Sequence, residues 1–206
     1  MELFAAVCVG LGLSAAGGLR LFVPLLIAGL GHRFGLVELA PALSWVSSLP
    51  SICVLVVLCI VEGTAYCIPA VDHALDVAKA PAGWIAGALI SAGLLAPELH
   101  SALHSFGSTG TFGEAVYALG IGTAALSGAG VAAATQLTAA GGRVATTATT
   151  GGLGNPIYAA VESLLATAAS ILAVLTPIVL ALLAVLGLSF AWMLIRRRAV
   201  ARVTAA

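Results

Sequence analysis

Charge is what this sequence has least of. Only 8% of its 206 residues are charged, eight Lys and Arg against eight Asp and Glu, while 61% are hydrophobic. A water-soluble domain of this length needs far more charged surface, so the composition points to an integral membrane protein. Long hydrophilic stretches are missing as well, which leaves any function to the membrane body or its rims. No basic segment precedes the first apolar run, "MELFAAVCVGLGLSAAGG", and that run passes directly into more apolar sequence. The expectation is a retained first helix rather than a cleaved signal. Cys8, Cys53, Cys59 and Cys67 have neither metal-ligand nor redox spacing and read as small buried hydrophobes. A Gly-rich phosphate loop, a zinc-protease motif and a nucleophile with a matching base are all absent, so an enzyme is not the expectation, though distant helices can still assemble a site. No motif names a cofactor.

What is present suits helices packed in lipid. Glycine occurs 24 times and alanine is abundant, and small faces let helix backbones approach. A crossing needs about 20 apolar residues. The expected architecture is therefore an all-α, polytopic transmembrane bundle of about six spans, at 3–30, 50–68, 77–96, 112–139, 157–175 and 177–195, followed by a basic cytoplasmic tail, 196–206. The alternative of five spans arises because 157–195 has only "LTP" as a possible turn. Six spans with a cytoplasmic N-terminus place Lys79, Arg143 and the C-terminal Arg196, Arg197, Arg198 and Arg202 inside and leave Arg33 outside, which agrees better with the positive-inside bias. The expected setting is a bacterial inner membrane. Nucleic acid is not expected as a partner, since the basic tail follows an apolar run as a membrane stop does. "AAGGRVATTATTGGLGNP" reads as a flexible linker. "LSAAG" at 13–17 recurs as "LSGAG" at 126–130, a weak hint of an inverted repeat.

Charges inside apolar runs carry the functional signal. Arg20, in "AAGGLRLFVPLL", has two glycines before it and Pro24 four residues after. Pro24 withholds its amide and clashes with the carbonyl of Arg20, so the helix should break there. Glu62 follows the apolar "SICVLVVLCIV" and is the natural partner for Arg20, with Tyr66 one turn further on the same face. After Pro69 come Asp72 and Asp76, which share a face if the segment is helical, and Lys79, which reads as a solvated loop charge. Asn155 before Pro156 is an expected N-cap with proline at the first helical position, and Glu162 lies about two turns further in. Asp72 with His73, and His100 with His104, are incomplete metal sets, so no metal site is expected. Glu38 and Glu114 read as solvated rims, and Thr135 and Gln136 as hydrogen bonds between helices.

Three blocks, "AAGGLRLFVPLLIAGLGHRFG", "EGTAYCIPAVDHALD" and "GNPIYAAVES", resemble a bacterial membrane-protein family catalogued as domain of unknown function 4126. The resemblance covers roughly 3–188 and rests on Gly18, Arg20, Pro24, Glu62, Pro69, Asp72, Asp76, Asn155, Pro156 and Glu162. This chain departs from the family pattern at Tyr66 and Cys67, where an acid and a lysine are common, and at Ser163, where an acid is. The resemblance supports the choice of residues without supplying their task. Two expectations stand. One is a small secondary transporter or permease that moves a small solute or ion along Arg20, Pro24, Glu62, Tyr66, Asp72, Asp76, Asn155 and Glu162. The other is a structural or accessory membrane protein that binds lipid or a partner, its charges forming a packed ion-pair network.

Overall fold

A computed structural model describes residues 2–65, 69–108 and 110–177, without the side chains of residue 2 and residues 69–78. The described residues are helical throughout their regular structure, as α1 (Glu2–Leu19), α2 (Phe22–Arg33), a 3-10 turn (Ser44–Ser47), α3 (Leu49–Ala65), α4 (Pro69–Ser105), α5 (Thr111–Thr150) and α6 (Asn155–Pro177). Among them, three stretches are long and apolar enough to cross a membrane: Lys79–Ser105, Thr111–Thr150 and Asn155–Pro177. The expected sixth span and basic tail lie outside the described residues.

The burial pattern is inverted relative to a soluble bundle. Along α5 the buried positions after Gly113 are Gly128, Ala132, Gln136, Ala139 and Arg143, one stripe at helical spacing. Its outer face carries Leu119, Leu126, Leu137 and Val144, each more than 60% exposed. On α6 the stripe is Asn155, Ala159, Glu162, Ala166, Ser170 and Ala173, with Ile157, Leu164 and Leu172 outside. On α5 and α6 it is mainly small and polar residues that face inward, while large apolar ones face out. Water would penalise so much continuous apolar surface, whereas lipid solvates it at no cost and leaves helix contact to small residues and hydrogen bonds.

Helices α1, α4 and α5 meet most closely. The Ser14 hydroxyl donates to the Gly87 carbonyl at 2.8 Å and lies 2.9 Å from the Ser91 hydroxyl. A Cβ on Gly87 would stand 2.7 Å from the carbonyl oxygen of Gly128, so at this crossing only glycine allows the two backbones to touch. Gly18 plays the same part between α1 and α5, where a Cβ would collide with the Ala132 carbonyl and the Thr135 hydroxyl. The paired pentapeptides differ in burial: Leu13 is fully buried while Leu126 is 76% exposed.

The first expected span is two helices, and the chain doubles back between them. A Cβ on Gly12 would lie 2.8 Å from Ala173, and one on Gly31 would lie 3.0 Å from Val174, the next residue of α6. A continuous helix would separate Gly12 from Gly31 by about 28 Å at 1.5 Å per residue. Instead α1 descends and α2 returns, with Val9, Leu13 and Ala28 in one apolar core. Arg33 therefore lies at the same end as the start of α1, not across from it. The physical reason is the one Pro24 supplies: the helix is interrupted at Arg20 and Leu21, and Pro24 packs within the first turn of α2.

Two other boundaries differ from expectation. Helix α4 begins at Pro69 and runs through Pro81 and Pro97 for 37 residues, so the third apolar stretch is part of a longer rod. The expected linker after 139 is helical to Thr150. Thr146, Thr149 and Thr150 turn their hydroxyls onto carbonyls of their own helix, which satisfies them without water. The helix ends at Gly151 and Gly152, both at positive φ, where glycine is the residue without steric penalty.

Candidate functional site: a charged centre at a broken helix

Residues 20 and 21 leave the ends of two half-helices without intrahelical partners. Two side chains from other helices take them. Glu62, near the end of α3, accepts the Leu21 amide at 2.9 Å on Oε1 and the Phe22 amide at 3.2 Å on Oε2. Lys79 of α4 donates to the Leu19 carbonyl at 2.7 Å. The lysine and the glutamate then pair with each other at 2.9 Å, both buried. The carboxylate stands at the positive end of α2 and the ammonium at the negative end of α1, which is the favourable sign at each terminus. Thus one ion pair closes the gap in the backbone.

The side chain of Arg20 leaves the junction in the other direction. It is 1% exposed, and its Nη2 donates to the Ala159 carbonyl of α6 at 2.6 Å and lies 3.6 Å from Oε2 of Glu162. Arg143 of α5 binds the same Oε2 of Glu162 with its Nη2. One carboxylate oxygen therefore serves two guanidinium groups. Glu162 Oε1 is buried and meets no hydrogen-bond partner.

Glu62 and Pro24 lie at the break and Glu162 beside the guanidinium of Arg20, with pairings that differ from the expected ones. Glu62 pairs with Lys79 rather than Arg20, because the amides exposed by the break face α3 while the guanidinium of Arg20 extends toward α6. Lys79 is a buried residue at 7% exposure and not a solvated loop charge, and Arg143, expected near the start of a linker, is buried at 6%. Asn155 is buried and ties the start of α6 to the end of α5: its Oδ1 accepts the Thr146 hydroxyl at 2.7 Å and its Nδ2 donates to Thr147 at 3.0 Å. Tyr66 lies outside the described residues. For Asp72 and Asp76 only the helical backbone is described, and it puts them one turn apart on a helix.

Lesser expectations also separate. Glu38 and Glu114 are exposed rims. Thr135 bonds to carbonyls of its own helix, not across helices, and Gln136 is buried with Oε1 lacking a partner. His100 and His104 stack edge to face at 4.6 Å, with Tyr117 beside His100. Cys53 is exposed, contrary to its reading as a buried hydrophobe, while Cys8 and Cys59 are half-buried. An exposed thiol on an apolar outer face remains compatible with lipid.

A groove opens beside this centre, between α5 and α6. Its volume is about 360 Å³, and Glu162 lies in its wall with Leu19, Thr135, Thr138, Tyr158 and Leu165. The family described as Domain of unknown function (DUF4126) matches residues 7–197. The chain belongs to that family. No curated protein and no solved structure matches it. In this DUF4126 member α3 and α4 send Glu62 and Lys79 to the short break between α1 and α2, while Glu162 of α6, joined by Arg143 of α5, meets the guanidinium of Arg20, and every one of those charges is at most 7% exposed.

Proposed function

We propose that this chain is a small secondary transporter or permease that passes a small solute or ion through the polar centre at Arg20, Glu62 and Glu162, with Lys79 and Arg143 as basic partners. The observation that supports this most is Glu162, whose Oε1 is a buried acceptor with no donor and which is among the residues lining an open groove. Buried polar atoms are costly unless they are satisfied, and the exceptions concentrate where a ligand or proton arrives. The break at residues 20 and 21 agrees with this, since transporters place interrupted helices at their binding sites. The setting is a bacterial inner membrane, crossed several times, with the charged end and the arginine-rich C-terminus toward the cytoplasm. On the doubled-back path of α1 and α2, that orientation puts both Ala5 and Arg33 outside.

A structural or accessory role is the second reading, and Glu62 favours it. Both its oxygens are occupied, as a fixed strut would have them. Flux measurements on purified protein in liposomes separate the two. Proton movement is followed with an entrapped pH dye, and sodium and potassium movement with entrapped ion-sensitive dyes. The permease reading expects flux above protein-free liposomes, and its loss in Glu162→Gln with the detergent-solubilised fold retained. Absence of flux in the unaltered protein would leave the structural role, and undiminished flux in E162Q would remove Glu162 from the route.

A further inference from the structure

At the end of α4 remote from the charged centre, His100 and His104 stand one turn apart on one face of the helix. Lys79 and His104 are about 37 Å apart along α4 at 1.5 Å per residue, so the pair belongs to the opposite rim of the bundle and takes no part in the centre at Arg20. Both histidines are exposed. Their ring centroids lie 4.6 Å apart, and Tyr117 of α5 sets its ring at a steep angle to that of His100 at 6.1 Å. Just beyond them the chain turns at Gly107, with φ of 66°, between the exposed rings of Phe106 and Phe112. His104 is in the last turn of α4, where the helix dipole presents its negative end and favours a cation over an anion.

We infer that His100 and His104 together bind one divalent transition-metal ion, Cu2+ most tightly and Ni2+ and Zn2+ less so, with water in the remaining coordination positions. An imidazole nitrogen holds such an ion at about 2.0–2.1 Å, which puts the ion about 3.2 Å from the ring centroid, so two rings about 90–110° apart around it have centroids about 4.5–5.2 Å from each other. The 4.6 Å between His100 and His104 lies at the narrow end of that range, where the two bonds meet near a right angle as in tetragonal Cu2+ and Ni2+ sites. Turning the rings about their Cβ–Cγ bonds, which exposure leaves open, aims one nitrogen of each at a shared ion. Ca2+ and Mg2+ take oxygen ligands and are not served by two imidazoles. Among the described residues no third His, Cys, Asp or Glu joins the pair. A chelate of two imidazoles needs none, because the helix holds both on one face and the second bond forms intramolecularly.

The test uses the full chain in detergent, purified on a tag without histidine, with Cu2+, Ni2+ and Zn2+ chlorides titrated against a chromophoric chelator. The expected result is one Cu2+ per chain, an electron paramagnetic resonance spectrum with coupling to two imidazole nitrogens, and binding of Ni2+ and Zn2+ weaker by about tenfold or more. His100→Ala and His104→Ala should each weaken Cu2+ binding on the order of 100-fold, since either one leaves a single ligand in place of a chelate. The chain has four histidines, and His73→Ala should leave the affinity unchanged. No Cu2+ on the unaltered chain, coupling to one imidazole alone, tighter binding of Zn2+ than of Cu2+, undiminished binding in H100A or H104A, or loss of binding in H73A would each overturn the proposal. The spectrum is read on the unaltered chain, so it decides even where a variant folds poorly.

Discussion

Glu62 and Glu162 are both buried acids facing basic side chains, yet they are held in opposite ways. Glu62 accepts on both oxygens, from Lys79 and from two backbone amides of the α1–α2 junction. Glu162 spends one oxygen on Arg143 and Arg20 and keeps the other without a partner. Backbone amides are fixed donors, so Glu62 is bound to the geometry of the helix break. The partners of Glu162 are long side chains, which can rearrange. The same residue type thus makes a strut on one side of Arg20 and an adaptable group on the other.

Replacing each acid by its amide tests that contrast most severely. In Glu62→Gln the new amide group must meet a donor whichever way it turns, and Lys79 loses its carboxylate inside the bundle. Breaking a buried ion pair costs about 3–5 kcal/mol, so E62Q should lose the monodisperse, thermally cooperative form seen by size-exclusion and melting in detergent. Glu162→Gln also removes a buried charge, the one that Arg20 and Arg143 share, but it keeps an oxygen for Arg143 and removes an acceptor that has no donor. Its melting temperature should fall, and by less than that of E62Q. Equal losses would mean that both acids are struts.

Gly18 sharpens the comparison from the backbone side, because it sits two residues before Arg20 and fixes how closely α1 approaches α5. Gly18→Ala must push the helices apart against the Ala132 carbonyl, which cannot yield as a side chain would. Overpacking of this kind costs about 1–3 kcal/mol. The displacement would move Arg20 and Leu21 together, so the melting loss should be accompanied by a loss of flux in liposomes. A G18A protein that melts lower but keeps its flux would show that the two sides of the junction are uncoupled.

Much of this centre could be read from residue types alone, since an arginine and two glutamates within apolar runs are costly and have few explanations. Pro24 marked the break because its missing amide acts four residues back, on Arg20. The pairing could not be read, as it depends on which way the junction turns, and α2 was expected to continue α1 rather than return beside it. Lys79 and Arg143 were missed for a local reason. Lys79 precedes a short apolar stretch and looked like a loop charge, and Arg143 lies in a run of Thr and Gly that resembles a linker. In lipid that composition makes a helix, because each threonine hydroxyl bonds back to a carbonyl of the preceding turn. An available signal was spacing: Gln136, Ala139 and Arg143 continue the stripe that begins at Gly128 and Ala132.

The smallest expected effect lies away from the charges, at the crossing of α1 with α4. Ser14 donates to the Gly87 carbonyl, and removing it by Ser14→Ala forfeits one buried hydrogen bond, about 1 kcal/mol. The void is small, and the Ser91 hydroxyl at 2.9 Å can turn to the vacated position. S14A should therefore melt only a few degrees lower and leave the flux unchanged. A larger loss would mean that the seam between α1 and α4, and not the ion pair at Glu62, is what holds the returning hairpin in place.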